Sequence, residues 1–170
     1  MGTGGVFLRK LRARISDRPT GFVWVVDDRV AASGLPASRN QILWLTRQGI
    51  AAVLTLTEDP LPASSTEGFS IQLEHVAMKD HGVPSAMELD RGVKFVTAQV
   101  EAGRKVLVHC LAGEGRTGCV LAAYVMVAKK TSPQQALSTI RKVKPEFVEA
   151  RQEQAVIDYA SALAEGPAES

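Results

Sequence analysis

The chain has only two cysteines, Cys110 and Cys119, in 170 residues. That scarcity excludes a disulfide-built scaffold and points to a reducing, cytoplasmic compartment in which both thiols are free. An excess of either charge is also missing. Twenty basic residues stand against 18 acidic ones, a net charge of +2, so nothing global attracts nucleic acid or another acidic polymer. No apolar run approaches the roughly 20 residues of a membrane-spanning helix. Internal repeats and low-complexity tracts are absent, which leaves no case for a solenoid. His109 beside Cys110 could suggest zinc, but His75 and His81 occupy separate segments without ligand spacing. That argues against a metal site, and no cofactor is implied.

What is present suffices for one core. With 45% hydrophobic residues the chain can bury a single domain without help. Residues 1–20 form a basic amphipathic N-terminal segment, with Arg9, Lys10, Arg12 and Arg14, no acid before Asp17, and Phe7, Leu8, Leu11 and Ile15 at helical spacing. The favoured reading is a helix or tail whose apolar side packs on the domain. Alternatively, residues 6–15 could make weak contact with an anionic membrane, or serve as a targeting peptide. The myristoylation pattern fails at Val6, where Ser or Thr is required. The folded domain is expected over 21–163 and a disordered tail over 164–170.

Strand and helix signals alternate along that domain. Residues 22–26, 29–33, 50–57, 69–78 and 105–110 read as strands, and 59–68 as a loop. Ser38, Ser85 and Ser132 read as helix N-caps, the last followed by Pro133 at the first helical position. Ile42, Leu43 and Leu45 form one apolar stripe, and Leu89, Val93, Val96 and Val100 another. The nearly continuous apolar run "KVLVHC" is expected of a strand buried on both faces. The fold class is therefore α/β, a central, mostly parallel sheet of four or five strands flanked by helices, with Cys110 at the C-terminal end of its central strand.

The stretch after that strand, "LAGEGRTG", joins it to an apolar helix. Such a loop offers backbone N–H groups and the positive end of a helix dipole to an anion. Its glycines permit positive φ, so amides from Leu111, Ala112, Gly113, Glu114, Gly115 and Arg116 could converge on one set of oxygens. Arg116 adds a planar fork for two oxygens of one phosphate. All three features favour thiolate over thiol at Cys110, which makes it a candidate nucleophile rather than a buried structural thiol. Cys119, on the helix that follows, reads as core.

Cys110, five residues, Arg116 and Thr117, between an apolar strand and a helix, resembles the signature of the cysteine-dependent protein tyrosine phosphatases, in particular their small atypical dual-specificity branch. "GLP" near residue 35, "KDHGVPS" at 79–85 and "SPQQALSTIRKVKP" after the signature extend the resemblance over roughly residues 22–160. The resemblance implies that Cys110 attacks phosphorus, Arg116 binds the phosphoryl oxygens and Thr117 hydrogen-bonds the sulfur. It also implies that His109 helps hold the loop and that Asp80 is general acid, then base, with Asp59 and Asp90 as weaker alternatives. A water-positioning Gln of the branch would align best with Glu153, with Gln152 and Gln154 beside it.

The expected activity is hydrolysis of phosphate monoesters through a cysteinyl-phosphate intermediate. The leading substrate is a phosphorylated protein bearing phosphotyrosine, with phosphoserine and phosphothreonine also considered. A phosphoinositide or inositol phosphate phosphatase is one alternative and a non-catalytic phosphate-binding module another. Glu114, inside the cradle, is read as opposing very highly charged substrates.

Overall fold

A computed structural model of the protein describes residues 17–166. The expectations placed on residues 1–16 and 167–170 lie outside it. Five strands, β1 (Val23–Val26), β2 (Val30–Ser33), β3 (Ile50–Thr55), β4 (Gln72–His75) and β5 (Lys105–His109), form one sheet in the order β1-β2-β5-β3-β4. The β1–β2 pair is antiparallel and the other pairings are parallel. β5 is central, flanked by β2 and β3, and Val106–His109 are fully buried.

Side chains alternate across the sheet with the two-residue period of a strand. Val106 and Val108 face one apolar cluster and Leu107 the other, as do Ala52 and Leu54 against Val53 on β3. The smaller cluster is covered by α1 (Arg39–Arg47), whose Ile42 and Leu45 sit against Phe22 and Leu107. The larger one lies under α3 (Ala86–Glu101), α4 (Gly115–Lys129), α5 (Pro133–Val143) and α6 (Glu153–Glu165). α4 is buried at every position from Arg116 to Met126, which accounts for its apolar composition all round.

The helix starts follow their capping residues. Ser85 and Ser132 each close a capping box, with Glu88 and Gln135 respectively, and Ser38 accepts from Gln41 N–H. Four expectations need correction. The strand expected over 69–78 pairs regularly only at Gln72–His75. Beyond it the chain stays beside β3's continuation through single bonds, Val76 N–H to Thr55 O and Met78 N–H to Leu56 O. The loop at 59–68 contains a one-turn helix, α2 (Ala63–Thr66), too short to show a periodicity. On α1, Leu43 is exposed and Gln41 takes the buried place. The last helix is preceded by a 3-10 turn, Ala150–Gln152, and runs to Glu165, past the boundary expected at 163.

Candidate active site

The parallel strands end together at one edge of the sheet, and Cys110 emerges there from the middle. Its side chain is 3% exposed and opens into a cleft of about 80 Å³. The loop behind it needs one glycine for its shape. Gly113 has φ +73°, and a Cβ there would stand 2.3 Å from Ser33 O on the neighbouring strand. From that position its N–H donates to Cys110 Sγ at 3.3 Å. The other loop glycines supply space rather than positive φ: a Cβ on Gly115 would meet Gln152 Oε1 at 2.6 Å. Leu111, Ala112, Glu114, Gly115 and Arg116 line the cleft, while Gly113 contributes through that single amide.

His109 lies beneath the loop, fully buried. Its Nδ1 is 3.2 Å from Cys110 O and its Nε2 2.8 Å from Thr55 Oγ1. A carbonyl only accepts, so Nδ1 carries the proton and Nε2 accepts from the threonine hydroxyl, the pattern of a neutral imidazole. Burial, first, and the nearby Arg116 charge push its pKa down to about 4, in keeping with that tautomer. The Nδ1 bond ties the ring to the Cys110 carbonyl. Thr117 differs from expectation. Its hydroxyl is buried and bonded to no described residue, the Cys110 sulfur included.

Arg116 is 2% exposed, and its guanidinium is held from two chain segments, 56–58 and 78–80. Nη1 donates to Met78 O at 2.9 Å, Glu58 Oε2 at 3.2 Å and Leu56 O at 3.4 Å. Nη2 donates to Asp80 Oδ1 at 2.7 Å. Glu58 also accepts from Asp80 N–H at 2.7 Å, so one carboxylate fixes both the arginine and the backbone of the 79–85 loop, called the acid loop after its Asp80. That N–H, foremost, together with Glu58's own N–H and Arg116, holds the Glu58 carboxyl below its ordinary range. The alternatives to Asp80 lie elsewhere. Asp59 does not line the cleft, and Asp90, on α3, pairs with Lys94 and accepts from Tyr159.

Gln152, not Glu153, faces the cleft. It is fully buried, its Nε2 donates to Gly82 O at 2.7 Å and its Oε1 accepts from Glu149 N–H at 3.1 Å. Glu153 points away, to Arg141 at 2.7 Å. The turn presenting Gln152 is strained: Val148, a β-branched residue, has φ +65°, and Arg141 donates to Phe147 O and Val148 O on either side of its peptide. Next to it His81 Nδ1 lies 2.9 Å from Glu149 Oε1, a second tie between this turn and the acid loop. The His81 hydrogen bond is the main cause that holds the Glu149 carboxyl low, with Arg151 adding to it.

Glu114 also departs from expectation. Its carboxylate lies 3.5 Å from Lys144 Nζ, which donates to Gly113 O at 3.1 Å. The negative charge in the cradle is therefore balanced, and the objection it raised to highly charged substrates weakens. Cys119 is core as expected: fully buried, its thiol pushed up to about 12, first by burial and then by Cys110.

Residues 19–164 match the family model of the Swiss Army Knife DSP-PTPase phosphatase domain. The chain belongs to the dual-specificity branch of the cysteine-dependent tyrosine phosphatases. The matched model is that of a phosphatase domain. It is 29% identical over 120 residues to a phosphatidylglycerophosphate phosphatase of Arabidopsis thaliana, covering 68% of this chain and 36% of the relative. It is 28% identical over 126 residues to the phosphatidylglycerophosphatase and protein-tyrosine phosphatase 1 of Rattus norvegicus, covering 70% and 65%. The chain thus spans between about a third and two thirds of the length of these curated relatives. Among solved structures, Tk-PTP in its active form superposes with a TM-score of 0.73 at 28% identity, covering 81% of this chain and 93% of that one. PTPMT1 in complex with PI(5)P superposes at 0.74 with 20% identity, covering 85% and 97%, a likeness of fold. No helix among the described residues is long and apolar enough to cross a membrane.

Proposed function

We propose that the chain hydrolyses phosphate monoesters of aliphatic, hydroxyl-bearing alcohols through a cysteinyl-phosphate intermediate. The observation that carries the chemistry is the convergence of Cys110, Arg116, Asp80 and Gln152 on one cleft. Cys110 Sγ attacks phosphorus in line as the bond to the ester oxygen breaks, and Asp80 gives that oxygen its proton. Arg116 and the loop amides hold the equatorial oxygens, where charge accumulates. Water positioned by Gln152 and deprotonated by the resulting Asp80 carboxylate then attacks phosphorus, and the P–S bond breaks. Thr117, whose hydroxyl is committed to no described residue, is assigned to the departing sulfur.

The walls of the cleft bear on the leaving group. None of the described lining residues is Phe, Tyr or Trp, so none of them offers such a ring to a phosphotyrosine phenyl, whereas His81, Glu149 and Gln152 offer partners to hydroxyl groups. The relatives named for phosphatidylglycerophosphate support this reading, as does the PI(5)P complex of a structural neighbour. The second name of the rat relative, protein-tyrosine phosphatase, keeps phosphotyrosine proteins as a second reading. Turnover of p-nitrophenyl phosphate tests the mechanism. Cys110→Ser should abolish it and Asp80→Asn lower kcat about 100-fold or more. Full activity in Cys110→Ser would sink the thiolate mechanism, and an unchanged rate in Asp80→Asn would move the acid elsewhere.

A further inference from the structure

A second hollow of about 190 Å³ adjoins the cleft, with Leu111, Ala112 and Glu114 as a wall common to both. Its other sides come from Thr20 and Gly21 before β1, Leu35 after β2, and Lys144 after α5. At ~30 Å³ for a water's share of liquid volume, a space of this order suits a small polyol fragment. Gly21 keeps it open beside the ammonium group. The position of its missing Cβ lies 3.5 Å from Lys144 Nζ, and its φ is +65°.

Lys144 is built into this hollow rather than draped over it. Its side chain is 18% exposed, with Nζ 5.6 Å from the centre of the Phe147 ring. An ammonium has three hydrogens to donate. One goes to Gly113 O and a second faces Glu114 Oε1, which leaves one for an occupant. The Lys144–Glu114 pair is close to neutral as a unit. It therefore suits a hydroxyl group or the single negative charge of a phosphodiester, and Glu114 can itself accept from a hydroxyl.

We propose that this hollow is a second substrate subsite, holding the uncleaved polyol and phosphodiester oxygens of a head group while its terminal monoester lies over Cys110. The assignment rests on the aliphatic leaving group proposed above. It makes Lys144 and Glu114 determinants of specificity on the far side of the phosphate loop from the acid loop's ties.

The test compares kcat/KM for short-chain phosphatidylglycerol phosphate, p-nitrophenyl phosphate and a phosphotyrosine peptide in wild type, Lys144→Met, Lys144→Arg and Thr20→Phe. Lys144→Met should lower the glycerol ester at least about tenfold more than p-nitrophenyl phosphate, chiefly through KM, because only the former reaches the hollow. Lys144→Arg should restore most of that ratio. Thr20→Phe should lower it again by filling the space, without removing a loop hydrogen bond. Should Lys144→Met fail to fold, Thr20→Phe decides. Equal losses on both substrates would overturn the subsite and leave the leaving-group reading standing. A wild type that prefers the phosphotyrosine peptide to the glycerol ester would overturn both.

Discussion

Gln152 is the residue whose removal should separate the two chemical steps. Gln152→Ala leaves Cys110, Arg116 and Asp80 in place but takes away the amide beside the phosphate loop and its bonds to Gly82 O and Glu149 N–H. The second step should slow, by up to about 100-fold, while the first proceeds. Rapid mixing with p-nitrophenyl phosphate should then show a burst of p-nitrophenolate equal to the enzyme present. A uniform slowing without a burst would assign Gln152 to the first step instead. At this scale the sequence was legible where spacing is local: Cys110, Arg116 and Thr117 lie within eight residues, and Asp80 sits in a recognisable turn. Glu58 was not, because its claim rests on bonds to Asp80 and Arg116 that only the fold brings together. The choice of Glu153 over Gln152 turned on one residue of register. A 3-10 turn hands over to α6 between them, and nothing in "EARQEQ" marks the handover.

Two connecting segments, the acid loop and the turn before α6, behave as a single element. Arg116 and Glu58 hold the first from below; His81–Glu149 and Gln152–Gly82 tie it to the second. Glu149→Gln and His81→Ala should each lower kcat about five- to tenfold, the equivalent of one hydrogen bond. The double variant should lose little more than either single one, since both remove the same tie. Independent, multiplying losses would show that the pair does not act as a unit. The pH response has a definite sign. The Glu149 carboxyl is held below its ordinary value, so the tie is complete above that ordinary value and is lost as pH falls through the depressed one. Capped helices and apolar strands were readable because each follows from neighbours in sequence. α2 and the regular part of β4, four residues each, were not, because a segment that short carries too few positions to show a period.

For the whole molecule, His109 makes stability depend on acid pH. An unfolded chain protonates its histidine near pH 6.5, whereas the buried imidazole stays neutral down to about 4. Lowering pH therefore favours the unfolded state across that interval, by an amount on the order of 3 kcal/mol when the interval is complete. The depressed carboxyls of Glu58 and Glu149 extend the loss to still lower pH. Urea unfolding midpoints should fall steadily between about pH 7 and 4.5, and the His109 ring protons should show no titration above about pH 5. A His109 titration near 6.5 would contradict the neutral, bridging tautomer on which the loop rests.

The Arg116–Asp80 contact has a consequence for how the resting molecule treats anions in general. The donor that a phosphoryl oxygen needs is occupied, at 2.7 Å, by a carboxylate of the protein itself. Arrival of a phosphate monoester is then an ion exchange at a fixed cation, one anion displacing another, rather than the filling of an open positive hole. On the proposed mechanism the exchange is coupled to chemistry, since the group released from the arginine is the one that must next take up and deliver a proton.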